Sequence, residues 1–133
     1  MPEEPINPWG CECRPRILVV DDNSYNILAV KLMLKDKFQM DIEEALDGKF
    51  AVEMFEEAIQ KPCGCPNRAF KLIFMDLSMP IMSGQEASKR ILAMQGDQDL
   101  ARIVVLTAFT NDHTHEECAN IGIKKVLNKP LSY

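Results

Sequence analysis

No apolar run in this sequence approaches the roughly 20 residues that cross a bilayer, and no charged-then-apolar leader opens it. A cytosolic location is therefore the default expectation, with no direct membrane partner. Basic runs and stripes are also missing. Fifteen Lys and Arg stand against 20 Asp and Glu, for a formal net charge of −5, which argues against a nucleic-acid surface. The 133 residues give room for one domain with a respectable core and too little for two ordinary ones. Histidine is scarce: His113 and His115 flank the start of one amphipathic stretch and are expected to be solvent-exposed rather than ligands.

What is present is a soluble composition, 47% hydrophobic and 26% charged, arranged in strict alternation. Residues 1–15 carry four prolines and little apolar periodicity, and read as a Pro-rich linker or arm. Ile17-Leu18-Val19-Val20 is a continuous apolar run suited to a strand buried on both faces. Ser24 offers an N-cap to a helix in which Ile27, Val30 and Leu34 recur at helical spacing. A weaker strand over 40–45 precedes the Asp47-Gly48 turn and a second helix carrying Ala51, Met54, Phe55 and Ala58 on one face. The loop Lys61-Pro62-Cys63-Gly64-Cys65-Pro66-Asn67 breaks that helix. A strand over 72–75, a helix from about Gly84, a strand over 102–106, a helix over 112–121 and a last strand over 125–127 complete the chain. Strand and helix in this order predict a parallel sheet with helices on both faces and right-handed crossovers. Five strands are matched by four complete helices. A fifth helix is expected and lacking, so the chain is expected to be truncated there or to be a fragment of a longer protein.

In a parallel sheet all strand C-termini share one edge, where ligands bind in open α/β folds. The residues delivered there are Asp21 and Asp22, Asp76, Thr107 and Lys129. Three clustered carboxylates repel one another and call for a cation, and oxygen ligands suit Mg²⁺. A divalent ion beside a carboxylate favours phosphoryl chemistry, in which the carboxylate attacks in line and an aspartyl phosphate forms. Lys129 would supply a point charge to a phosphoryl oxygen and Thr107 a hydroxyl.

Four segments, Val19-Val20-Asp21-Asp22-Asn23, Met75-Asp76-Leu77-Ser78-Met79-Pro80-Ile81-Met82-Ser83-Gly84, Leu106-Thr107-Ala108 and Asn128-Lys129-Pro130, together resemble the response-regulator receiver domain. They are most similar to those attached to hybrid sensor histidine kinases. The resemblance covers about residues 16–131, and the domain is assigned to 16–133. It implies a flavodoxin-like sheet in the order 2-1-3-4-5. It implies phosphoryl transfer from a histidine of a kinase or phosphotransfer protein onto Asp76. It implies Mg²⁺ held by Asp21, Asp22, Asp76 and the backbone carbonyl of Ser78. Lys129 would contact the phosphoryl group, Thr107 would be the switch hydroxyl, and the Lys129–Pro130 peptide would be cis.

The pattern also departs from the family. Val126 stands where an aromatic is usual, three residues before the lysine, so no large ring can rotate inward with Thr107. Ser83 replaces a common acid before Gly84. Ser78 and Phe109 occupy the positions that border the phosphoryl site. Two other readings compete: a non-phosphorylated interaction module on the same fold, and an aspartate-nucleophile phosphatase. The latter usually wants acid, spacer, acid after the first strand, which Asp21-Asp22-Asn23-Ser24 does not give.

Five cysteines are many for this class. Cys11 and Cys13 precede the first strand, and Cys63 and Cys65 precede the third. With the order 2-1-3-4-5 these strands are neighbours, so both pairs approach the edge opposite Asp76. Four thiolates there could hold a structural Zn²⁺, or could remain four reduced thiols in loops. Cys118 is expected to be a core thiol beside Ile121. The methionines fall at core or motif positions and read as packing.

Overall fold

The computed structural model describes residues 10–37, 39–98, 100–108, 111–123 and 125–129. The elements alternate as β1 (Arg16–Val20), α1 (Ser24–Lys37), β2 (Asp41–Ala45), α2 (Gly48–Ile59), β3 (Leu72–Asp76), α3 (Gly84–Gln95), β4 (Arg102–Thr107), α4 (Asp112–Ile121) and β5 (Lys125–Asn128). All strand pairs are parallel, and the sheet runs β2-β1-β3-β4-β5. This is the flavodoxin-like order that the motifs imply. Trp9, Phe109, Pro130 and the expected loss of a fifth helix after β5 lie outside the described residues.

The central strands β1 and β3 are buried on both faces, which explains their unbroken apolar runs. The edge strand β2 exposes Asp41 and Glu44, and edge charges of this kind discourage further strand pairing. One face of the sheet packs Leu18, Val20, Ile73, Met75, Ile103 and Val105 against Phe55 of α2, Ile91 of α3 and Cys118 of α4. The other packs Ile17, Val19, Phe74 and Leu106 against Ile27, Val30 and Leu34 of α1. Cys118 is 1% exposed, as a core thiol should be, and His113 and His115 are exposed.

Helix starts follow capping chemistry. Asp47, Ser83 and Asn111 each accept a hydrogen bond from the backbone N–H three residues on, at 2.7, 3.2 and 2.8 Å. At α1 the cap is Asn23 rather than Ser24: Asn23 Oδ1 accepts from the N–H groups of Tyr25 and Asn26 at 2.9 and 3.3 Å. Gly122, at φ 106°, closes α4 in the left-handed conformation.

Candidate functional site

Register decides what meets at the C-terminal edge. Val20 lies opposite Met75, Asp76 opposite Leu106, and Thr107 opposite Asn128. Asp76 and Thr107 are the last paired residues of their strands, and Asp21 and Lys129 directly follow the last paired residues of β1 and β5, so all four stand at one edge. Carboxylate oxygens of Asp21, Asp22 and Asp76 all lie within 4.8 Å of one another. Asp21 and Asp76 are buried, whereas Asp22 is exposed. The Lys129 ammonium donates to Asp21 Oδ2 at 2.8 Å and reaches Asp76 Oδ1 at 3.3 Å. Three carboxylates thus face one ammonium within this cluster.

The electrostatics follow. Burial, and then the neighbouring Asp21 carboxylate, push the Asp76 carboxyl above its ordinary value; Lys129 and the Ser78 N–H pull the other way without cancelling the rise. Burial would draw the Lys129 ammonium down, but its bonds to Asp21 and its attraction to Asp76 outweigh that and raise it. Backbone donors orient the acids: Asn23 N–H donates to Asp21 Oδ1 at 3.0 Å and Ser78 N–H to Asp76 Oδ1 at 3.4 Å. Thr107 is buried at the end of β4, and its carbonyl accepts from Lys129 N–H at 2.9 Å. A cleft of about 310 Å³, lined by Asp21, Asn26, Val30, Met33, Leu106 and Lys129, opens beside the cluster.

The segment after Asp76 is tightly shaped. Gly84 N–H donates to Leu77 O at 3.0 Å, and a Cβ on Gly84 would overlap the Asp76 carbonyl oxygen. Glycine is what lets α3 begin against the end of β3. Ile81 sits at φ 71°, and Met82 N–H donates to Pro80 O at 2.8 Å across it. Together these make a γ-turn of the strained kind, on a β-branched and 79% exposed residue. Strain of this sort gathers at functional sites. No sequence signal predicts it, because isoleucine is a poor residue for that conformation.

The chain matches the response regulator receiver domain family over residues 17–133. This chain belongs to that family. Among curated relatives, the receiver domain is 38% identical over 125 residues to hybrid signal transduction histidine kinase F of Dictyostelium discoideum, covering 92% of this chain and 10% of the kinase. It is 35% identical over 120 residues to the osmosensing histidine protein kinase SLN1 of Saccharomyces cerevisiae, covering 90% of this chain and 9% of that one. The chain spans about a tenth of the length of these relatives. Among solved structures it resembles the receiver domain of the histidine kinase CKI1 from Arabidopsis thaliana complexed with Mg²⁺. The TM-score is 0.77 at 26% identity, over 89% of this chain and 85% of that one. It also resembles a chain of the co-crystal structure of the Saccharomyces cerevisiae phosphotransfer protein Ypd1 with the receiver domain of Ssk1. There the TM-score is 0.73 at 27% identity, over 90% and 81% of the two chains.

At the opposite edge of the receiver domain the four paired cysteines also converge. The Sγ atoms of Cys11, Cys13, Cys63 and Cys65 all lie within 4.8 Å of one another, and all are free thiols. Burial, and then hydrogen bonds among these thiols, push Cys13 up to about 12 and raise Cys65 as well. Arg68, which nothing in the sequence singles out, is buried behind the cysteine loop, and its Nη1 donates to both Gly64 O and Cys65 O. The apolar side chains exposed along α1, Tyr25, Leu28 and Leu32, carry a signal that helical periodicity could have revealed. They fall at i, i+3 and i+7, off the face that packs on the sheet.

Proposed function

We propose that this domain accepts a phosphoryl group on Asp76 from a phosphohistidine of a partner kinase or histidine phosphotransfer domain, with Mg²⁺ bound at the acidic cluster. The observation that carries this reading is the buried Asp76 carboxylate held against Asp21, Asp22 and the Lys129 ammonium. The donor set fits a hard divalent cation. Its ligands are carboxylate oxygens, they lie within reach of one another, and their charge exceeds that of the single lysine in the cluster. Asp21, Asp22, Asp76 and the Ser78 carbonyl would hold Mg²⁺, which when bound neutralises charge on the phosphoryl oxygens. The CKI1 receiver domain, complexed with Mg²⁺ in its solved structure, supports this by similarity.

An Asp76 carboxylate oxygen attacks phosphorus in line as the P–N bond breaks, and that bonding pair stays on the imidazole nitrogen. Lys129 stands 3.3 Å from Asp76 Oδ1 and supplies the charge that meets a phosphoryl oxygen. Thr107, one residue beyond the partner of Asp76 on β4, supplies the hydroxyl that responds to the group. Buried Asp76 stays in place while the exposed loop at Ser78 leaves an approach for the donor.

The donor docks on α1. Tyr25, Leu28 and Leu32 are 81%, 53% and 60% exposed, and the helix that bears them begins two residues after Asp22. The co-crystal structure of the phosphotransfer protein Ypd1 with the similar Ssk1 receiver domain supports a donor of this class, which would need an apolar surface to meet these side chains. We further assign residues 16–133 to the receiver unit and residues 1–15 to an arm leading into it. By similarity, the unit serves on the cytoplasmic side as a module of a hybrid kinase. Among the described residues, no helix is long and apolar enough to cross a membrane.

Intact-mass measurement after incubation with Mg²⁺ and a small acyl phosphate tests the chemistry. One phosphate adduct is expected in the wild type and none in Asp76→Asn; an adduct that persists in Asp76→Asn refutes the assignment. Leu28→Glu should slow transfer from a phosphotransfer protein while leaving phosphorylation by the small donor unchanged. Equal loss with both donors would remove α1 as the docking face.

A further inference from the structure

The acidic edge leaves the opposite edge of the sheet unexplained. There, Cys13 in the segment before β1 meets Cys63 in the α2–β3 loop, 50 residues away in sequence. Their sulfurs are 3.7 Å apart, and Cys63 and Cys65 are 3.9 Å apart. A disulfide needs about 2.05 Å. A tetrahedron of sulfurs around zinc, with Zn–S near 2.3 Å, has edges of about 3.8 Å. The two measured separations fall on either side of that edge length, and all four Sγ atoms lie within 4.8 Å of one another.

The scaffold behind the sulfurs is fixed without them. Gly64, at φ 65°, reverses the chain between Cys63 and Cys65, a conformation that glycine adopts readily. The Arg68 guanidinium donates to Gly64 O at 3.0 Å, to Cys65 O at 2.9 Å and to Gln98 Oε1 at 2.7 Å. Arg68 N–H closes the same turn onto Cys65 O at 3.1 Å. On the other side, Arg16 anchors the arm at the start of β1. Its guanidinium donates to Arg68 O at 2.8 Å and to Glu43 at 2.9 Å, and lies 4.4 Å over the Phe70 ring. Two buried or half-buried arginines therefore place positive charge beside a loop whose thiolates would carry negative charge.

We propose that Cys11, Cys13, Cys63 and Cys65 form a structural tetrathiolate Zn²⁺ site that pins the segment before β1 to the α2–β3 loop. Ligand softness separates it from the acidic cluster. Thiolates select zinc, carboxylate oxygens select Mg²⁺, and the two sets sit at opposite edges of one sheet. Four protein ligands leave no open position, so the site closes a long loop rather than doing chemistry. The proposal is independent of the phosphoryl reading.

Metal analysis of the whole chain, purified under reducing conditions and desalted, tests it. One zinc per chain is expected. Cys11→Ser and Cys63→Ser should lose it, and Cys118→Ser should keep it. Removing zinc with a chelator should lower Tm by roughly 10 °C, the effect of releasing a cross-link over a 50-residue loop, and zinc should restore it. Should the serine variants fail to fold, Co²⁺ titration of the stripped wild type decides. Thiolate-to-cobalt charge transfer with tetrahedral ligand-field bands supports the site. Reduced protein that binds neither Zn²⁺ nor Co²⁺ overturns the proposal, as does stoichiometric iron, or a mass showing the four thiols joined as disulfides.

Discussion

Replacing Asp76 with Asn should stabilise the metal-free domain near neutral pH and remove most of what Mg²⁺ adds. The reason lies in the cluster. Burial and then Asp21 destabilise the ionised Asp76, and Lys129 offsets only part of that. Asparagine keeps the shape and drops the charge. It weakens one contact, the 3.3 Å approach of Lys129, while the 2.8 Å bond from Lys129 to Asp21 remains. Relief of the raised ionisation outweighs that loss, because burial and the Asp21 charge together exceed what Lys129 and the Ser78 N–H supply. The sign with pH follows from linkage. The folded carboxyl has its pKa above the ordinary value of 3.8, so between the two values the native state holds more protons than the unfolded one. Wild-type stability therefore falls as pH rises through that window. Below it both variants carry a neutral group and should match; above it the Asn variant should be the more stable. Mg²⁺ reverses the order. At a hundred times its Kd, a ligand bound only by the folded state adds about 2.7 kcal/mol, and the Asn variant offers a neutral amide in place of a charged carboxylate ligand. Urea unfolding at fixed ionic strength, with and without MgCl2 and across pH, reads all of this. An Asn variant that is the less stable one without metal at neutral pH, or equal Mg²⁺ stabilisation of both proteins, would refute the reasoning.

Lys129→Met should raise Mg²⁺ affinity roughly tenfold in a binding titration, because an ammonium 2.8 Å from Asp21 competes with the ion; it should also lower accumulation of the phosphorylated form. Gly84→Ala should destabilise by about 2 kcal/mol in urea unfolding, since its Cβ would overlap the Asp76 carbonyl and push α3 off the end of β3. Ser88 Oγ is buried and lacks a hydrogen-bond partner among the described residues. Ser88→Ala should therefore stabilise by about 1 kcal/mol in the same assay, and a loss of stability would mean that the hydroxyl is satisfied in solution.

The acidic edge is legible in the sequence because parallel strands impose it. Each apolar run is short and buried, and whatever ends it must lie at the same edge, so Asp21, Asp76, Thr107 and Lys129 can be placed without coordinates. The sheet order is legible through motif resemblance rather than periodicity, which is silent about which strands are neighbours. What was missed depends on single torsions or on distant contacts. Asn23 rather than Ser24 caps α1, because capping needs the half-in residue's extended backbone and not merely a hydroxyl nearby. Arg68 behind the cysteine loop depends on Ile59, Gly64 and Gln98 arriving together. The γ-turn at Ile81 runs against the residue's own preference, and local propensity carries no trace of it.

Val126 bears on how the state of Asp76 leaves the site. It is half-buried and packs against the cluster that includes Val105, its register partner on β4, two residues before Thr107. Position 126 itself carries no ring to swing. The link that remains is backbone: Lys129 N–H donates to Thr107 O at 2.9 Å, while the same residue's ammonium is shared between Asp21 and Asp76. On the proposed chemistry, a phosphoryl group on Asp76 would compete with Asp21 for that ammonium, and a shift of Lys129 would act on the end of β4 through the Thr107 carbonyl. Lysine thus joins the chemistry to the sheet edge at two points, side chain and main chain. On the proposed chemistry, coupling without a ring at position 126 would pass along the ends of β4 and β5, where the register holds Thr107 against Asn128.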